Sequence, residues 1–412
     1  MARGILSHAD VGRHPPFCTG TGRISRLRRD GCRGKFTGRR EIAEEMDIGR
    51  LARKGIMNLP AYIPGKAIEE VEKEFGSKRW VKLASNENLL GPSPKAVAAI
   101  RKELSSINFY PEGPCTVLVE ALARRFSLPE AKLIVSNGAD NLILMIANTF
   151  VDEGDEVVMA DPTFPVYANT TQILGGTPVK VREKDFRHDI SAMLEKVNSK
   201  TKLFYICNPN NPSGTIVSQK VLDDVLSRLP ERVITILDEA YCDFAEDPGY
   251  PKGLDYVKAG KQLIVLRTFS KVYGLAGLRL GFAAGREDLI KGLYQVREPF
   301  PVHKLAQVAG VAALNDREHE RKSIELVHEG RRYLYQELDK MGLFYVPSEA
   351  NFILTDLKGD SRETFQALLR EGVIIRPGFV WNYDTFARVT IGRMSDNRRF
   401  IRALKKILKK SH

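Results

Sequence analysis

No apolar run in this 412-residue chain reaches the roughly 18–20 residues a membrane span needs, so the sequence reads as that of a soluble protein with no membrane partner. The five cysteines, Cys18, Cys32, Cys115, Cys207 and Cys242, are odd in number, scattered and without CxxC spacing. That supports neither a disulfide framework nor a zinc site and fits a reducing cytoplasm. The seven histidines are equally dispersed, so no metal site is expected. Internal repeats and long linkers are also lacking. What remains is ordinary globular composition, 43% hydrophobic and 28% charged, which excludes collagen-like, coiled-coil and wholly disordered classes. The length allows a large core and usually two domains.

The net charge of +12 suggests nucleic acid until it is located. Residues 1–40 hold ten Lys and Arg against Asp10 and Asp30, which places +8 there and leaves +4 for the other 372 residues. The body is therefore only mildly basic, and no nucleic-acid partner is expected. The glycine-spotted head (residues 1–45) has no helical or strand period and reads as disordered. It lacks the apolar core of a secretory signal, and although Arg-rich like a mitochondrial presequence it shows no amphipathic helix. The reading favoured is a misassigned start, with the real one at Met46 or Met57.

From about residue 130 to 285, strand-like and helix-like stretches alternate. Strands are expected at Lys132–Ser136, Glu156–Ala160, Lys202–Cys207, Val233–Leu237 and Gln262–Arg267, with helices at Gly138–Phe150 and Gln219–Leu229. Such alternation predicts an α/β fold with a mostly parallel sheet between helices. The ends differ. A helix is expected near Ala67–Phe75, a long charged one over residues 316–341, and another at Asn397–Lys409. Short strands are expected at Phe344–Pro347, Phe352–Thr355, Val373–Arg376 and Ala387–Ile391. Both termini are read as one smaller α+β domain, residues 46–90 and 301–412, packed on a large domain of residues 91–300.

Four motifs carry chemistry. The apolar run Val233–Leu237 ends in Asp238, with Tyr241 just beyond, which puts a carboxylate at the edge where parallel sheets bind ligands. Taken alone, such an aspartate reads as a helix N-cap. Arg267-Thr-Phe-Ser-Lys271 again runs a strand into a polar edge, and Arg279 follows eight residues later among glycines. Hydroxyls, a lysine and an arginine converging there suit a phosphate together with a reactive amine. Ser136-Asn-Gly138-Ala-Asp140 opens a helix and so offers an anion site. Asn208-Pro-Asn-Asn211-Pro-Ser-Gly214 is a turn-rich stretch that can hold an amide toward the same crevice.

In order and spacing these motifs resemble the fold-type-I pyridoxal-phosphate aminotransferases, from about residue 57 to the C-terminus. The resemblance implies a large domain with a mostly parallel seven-stranded sheet between helices. It implies Lys271 as the Schiff-base lysine and Asp238 as the partner of the pyridine nitrogen. Tyr241 and Asn211 would meet the phenolic oxygen, and Phe164 would stack on the ring. The phosphate would lie on the backbone of Ala139 and Asp140, with Thr268, Ser270 and Arg279 around it. The chemistry needs these types: an ionised aspartate keeps the ring nitrogen protonated, and a lysine of lowered pKa serves as nucleophile and proton carrier.

Finer motifs are similar to the histidinol-phosphate aminotransferase branch: Ala61-Tyr62-Ile-Pro-Gly65, the run from Leu83 through Asn88 to Pro94, Tyr110-Pro-Glu-Gly113, Ser348-Glu-Ala-Asn351-Phe352, Gly372-Val-Ile-Ile-Arg376-Pro377 and Arg388-Val-Thr-Ile-Gly392. This resemblance implies a homodimer in which Tyr110 reaches the partner's cofactor phosphate, and Arg388 as the substrate-anion arginine. Tyr62, Asn88, Asn351 and Arg376 would hold the rest of the substrate. The expected reaction is transamination between L-histidinol phosphate and 2-oxoglutarate. Departures at Leu89, Asn141 and Arg393, at Phe300–His303 and in the aromatic Phe379–Tyr383 stretch bear on the substrate rather than the reaction. Aromatic amino-acid transamination, phosphothreonine decarboxylation and, outside enzymes, a DNA-binding regulator are the alternatives. The last lacks the helices of a DNA-binding unit in residues 1–40.

Overall fold

Parallel strands buried on both faces read as continuous apolar runs, and the centre of this chain supplies them. In the computed structural model, which describes residues 51–53, 56–59, 66–76 and 79–409, they form a seven-stranded sheet. Its strands are β2 (Leu133–Ser136), β3 (Glu156–Asp161), β4 (Thr177–Arg182), β5 (Thr201–Cys207), β6 (Ile234–Asp238), β7 (Leu263–Thr268) and β8 (Gly281–Gly285). The order is β2-β8-β7-β6-β5-β3-β4. All neighbours run parallel except β8, which is antiparallel to both β7 and β2. The expected head (1–45), the start at Met46 and Tyr62 lie outside the described residues.

Side chains alternate along each strand, so the sheet has two differently packed faces. Leu203, Tyr205, Ile234, Ile236, Ile264 and Leu266 pack with Leu142, Ile146 and Tyr167 on one face. Phe204, Ile206, Leu237 and Val265 join the larger core on the other. The helix Gly138–Phe150 buries Leu142, Ile143, Met145 and Ile146, the one-face spacing of an amphipathic helix.

A second, five-stranded sheet has the order β1-β11-β12-β10-β9. It joins β1 (Val81–Leu83) to β9 (Tyr345–Val346), β10 (Phe352–Asp356), β11 (Val373–Pro377) and β12 (Phe386–Thr390) from the C-terminal part. The described residues from Ala52 onward form one compact unit. The long charged helix spans Arg317–Lys340 and buries His319, Ser323, Val327, Arg331, Leu334 and Leu338 along one stripe. Two strands of the large sheet escape sequence reading. β8, Gly-Phe-Ala-Ala-Gly, reads as a glycine-rich loop, and β4 is an edge strand with alternating polar residues and Pro178. No helix among the described residues is long and apolar enough to cross a membrane.

Candidate active site

Strand register decides what meets at the carboxyl edge. Cys207 lies opposite Asp238, and Asp238 opposite Leu266, so the segments after β5, β6 and β7 begin level with one another. β8 arrives from the other direction: Gly281 pairs with both Thr268 and Ser136. The segment just before it, with Arg279, therefore stands at the same rim. There the fold encloses a cavity of about 310 Å³.

Asp238, Tyr241, Thr268, Ser270, Lys271 and Arg279 line this cavity. Ala139 and Asp140 enter from the helix start, Phe164 and Asn211 from the loops after β3 and β5, and Arg376 and Arg388 from the smaller sheet. The other residues singled out in the sequence stand elsewhere. Asn88 gives its amide to the carbonyl of Val272 (2.9 Å) and to Ser323 Oγ (2.8 Å), bracing the strand-to-site segment against the long helix. Asn351 is buried behind the wall, donating to the carbonyl of Asn86 at 3.0 Å. Tyr110 is 81% exposed and stacks on Phe300, ring centroids 4.7 Å apart.

Lys271 Nζ donates to the Ser85 carbonyl at 3.4 Å and lies 5.3 Å from the centre of the Tyr241 ring. Burial, and then the Arg388 guanidinium, lower its pKa to about 8, against the pull of Glu87 and Asp140. Asp238 is 3% exposed. Burial pushes its carboxyl up to about 6, although hydrogen bonds from Tyr167 and from the Ala240 N–H act the other way. The Tyr241 hydroxyl accepts from the Asn86 amide (3.1 Å) and the Asn211 amide (3.5 Å), and burial drives its ionisation upward.

The opposite end is built for an anion. The first N–H groups of a helix have no partner within it, and the helix dipole adds partial positive charge. Gly138 has φ +84°, and a Cβ there would stand 2.9 Å from Arg279 Nη2. A Cβ on Gly281 would stand 2.8 Å from the Ala139 nitrogen. The two glycines thus keep the guanidinium and the helix start close together. Arg279 also bonds Ser270 Oγ (3.4 Å) and Asp140 (3.2 Å). Donors of this kind at one end, with a buried lysine and a buried carboxylate beyond, fit a phosphate-bearing aldehyde such as pyridoxal phosphate.

On the smaller sheet, Arg376 and Arg388 are direct cross-strand partners. The Arg388 guanidinium donates to the Ala84 carbonyl (2.7 Å) and to Asn211 Oδ1, and the Trp381 ring lies 5.2 Å from it and 5.9 Å from that of Arg376. Both guanidiniums line the cavity, and a guanidinium fork pairs readily with a carboxylate or a phosphate.

Sequence reasoning left two contributors without a role. Asn86 lies within the Leu83–Pro94 run, and its left-handed φ of 56° turns the segment so that its amide meets Tyr241. Tyr167 follows Phe164 by about one helical turn, yet its partner Asp238 is 71 positions away, which no local pattern signals.

A model of the aminotransferase class I and II family matches residues 78–404. The chain is 50% identical to the histidinol-phosphate aminotransferase of Moorella thermoacetica, over 86% of this chain and 92% of that protein. It is 44% identical to histidinol-phosphate aminotransferase 2 of Carboxydothermus hydrogenoformans, over 87% and 99%. Among solved structures it is similar to the histidinol-phosphate aminotransferase from Sinorhizobium meliloti in complex with pyridoxal-5′-phosphate. That match has 27% identity and a TM-score of 0.80, and covers 87% of this chain and 98% of the other.

Proposed function

Because the chain belongs to the aminotransferase class I and II family and is a pyridoxal-phosphate-dependent aminotransferase, we propose that its amino donor is L-histidinol phosphate. With 2-oxoglutarate as acceptor the products are imidazole-acetol phosphate and L-glutamate, a step of histidine biosynthesis. The observation that carries this reading is the facing pair Arg376 and Arg388 on the cavity wall. A phosphate on the donor and a carboxylate on the acceptor both suit the guanidinium fork. Identity of 40–50% to curated histidinol-phosphate aminotransferases supports it.

Bound pyridoxal phosphate supplies an aldehyde for the donor's amine and a protonated ring that accepts electrons from its Cα. Lys271, Asp238, Tyr241, Asn211 and Phe164 would hold the ring, and Ala139, Asp140, Thr268, Ser270 and Arg279 the phosphate. Asp238 holds the proton at the ring nitrogen. Tyr241, steadied by the Asn86 and Asn211 amides, offers its hydroxyl to the phenolic oxygen. Lys271 would take the proton from the donor's Cα and return it at the cofactor's C4′, two atoms along, for which a pKa lowered to about 8 suits it. Tyr110, exposed beside Phe300, completes the site of a second copy in a homodimer, and the free Cys115, Cys207 and Cys242 accord with a cytoplasmic enzyme.

Incubation with L-histidinol phosphate and 2-oxoglutarate should yield glutamate, and its absence would sink the assignment. The donor should exceed phenylalanine and tyrosine in kcat/KM, and phosphothreonine should release no carbon dioxide. Borohydride reduction of the loaded protein should label Lys271, and Lys271→Ala should abolish both label and turnover.

A further inference from the structure

We propose that Tyr167 is the positioning residue that holds the Asp238 carboxylate ionised and aimed at the cofactor's ring nitrogen. Asp238 shares the strand face of Ile234 and Ile236, and Tyr167 belongs to the group packed on that face. The Tyr167 hydroxyl donates to Asp238 Oδ2 at 2.6 Å, and the Ala240 N–H donates to Oδ1 at 3.0 Å. One donor on each oxygen fixes the carboxylate plane. It also leaves acceptor capacity on both oxygens for a third partner in the cavity.

The tyrosine cannot turn away. It is fully buried, its ring stacks on Tyr205 with centroids 4.3 Å apart and planes at 17°, and the Phe164 ring meets it edge-on at 5.6 Å. Thr171 Oγ1 donates to its carbonyl at 2.8 Å, anchoring the helix it stands on. Tyr205 offers Asp238 only a surface, since its own hydroxyl is buried without a hydrogen-bond partner among the described residues.

Electrostatics give the contact its purpose. The ionisable groups around Asp238 include Tyr167 and Tyr205 on the packed face, Cys207 on the neighbouring strand, Glu239 and Tyr241 just beyond it, Cys242 a little further on, and Asp140 across the cavity, with Lys271, Arg279 and Arg388 on the same cavity wall. Burial raises the three tyrosines and both thiols, so all of these stay neutral, while Asp140 and Glu239 oppose a negative charge on Asp238. Against burial and these two carboxylates stand the two hydrogen bonds, that from Tyr167 being the shorter. Without it the carboxyl would retain its own proton and lose hold of the one on the ring.

The inference rests on the cofactor and on the placement of Asp238, and its test uses no amino donor. The protein is loaded with pyridoxal phosphate labelled with nitrogen-15 in the ring, and the ring resonance is followed against pH alongside the cofactor Kd. In Tyr167→Phe the ring nitrogen should lose its proton about one pH unit lower, and Kd should rise about tenfold, the effect of losing a hydrogen bond to a charged group. Tyr205→Phe should change neither. In an Asp238→Asn background, adding Tyr167→Phe should change Kd by less than about twofold, because no charge remains to be held.

Unchanged midpoint and Kd in Tyr167→Phe would overturn the proposal, as would an equal effect in the Asp238→Asn background. Should Tyr167→Phe fail to fold, recovery of folding in the double variant would support it, since the defect is then a stranded charge. Failure of both to fold would overturn it. A parent protein whose ring nitrogen carries no proton would instead overturn the placement of Asp238 itself, and this proposal with it.

Discussion

Lys271 stands among cations and out of water, and the sign of its titration follows. Its pKa falls from an ordinary 10.5 to about 8, first through burial and then through Arg388. Between those values the folded chain binds fewer protons than the unfolded one, so this group makes stability rise with pH across that window. Capture of pyridoxal phosphate by the cofactor-free protein should accelerate with pH and level off above about 8. Stopped-flow absorbance measures this, and Arg388→Gln should move the inflection upward. Asp238 titrates with the opposite consequence. Its carboxyl is raised from 3.8 to about 6, so the folded chain keeps a proton that the unfolded chain releases, and stability falls as pH rises through that window. Asp238→Asn should therefore stabilise the cofactor-free protein at pH 7.5 by roughly 1–3 kcal/mol while weakening cofactor binding. Thermal melts with and without pyridoxal phosphate would show the two opposed effects. Lys271, Asp238 and Arg279 were legible in the sequence because each ends or follows a recognisable strand. Tyr167 and Asn86 were not, because their meaning lies in partners brought close only by folding.

At the scale of elements, the helix Gly138–Phe150 matches its sequence pattern residue for residue, and β5, β6 and β7 match within about a residue at either end. Long apolar periodicity survives any tertiary context. β8 had no such signal: two glycines and two alanines bury fully only because neighbouring strands and helices close over them. The five-stranded sheet was equally hard to read in full, since β1 pairs with β11 from the far end of the chain. The junction of β2 with its helix carries a prediction of its own. Gly138→Ala would place a methyl 2.9 Å from Arg279 Nη2 at a left-handed φ of +84°. Strain and displacement together should cost about 1–3 kcal/mol. The loss should fall on pyridoxal phosphate and spare phosphate-free pyridoxal, as fluorescence titration with each would show.

For the molecule as a whole, the proposed homodimer makes a prediction no single chain can. If Tyr110 serves the partner's site, a mixed dimer of Lys271→Ala and Tyr110→Ala chains contains one site with both residues intact. Refolding the two variants together should give activity above either alone, measured as glutamate formed per site. The reversal of β8 beside β7 has one more consequence. The chain leaves the rim near Lys271 and must be back at that rim by Arg279 before pairing can resume. The intervening stretch therefore acts as a ruler, setting the span between the amine and the guanidinium by residue count. Removing one residue between Val272 and Leu278 would leave both strands paired and the barrel of the ruler one notch short. Such a chain would no longer match a molecule whose aldehyde and phosphate stand a fixed distance apart across one rigid ring.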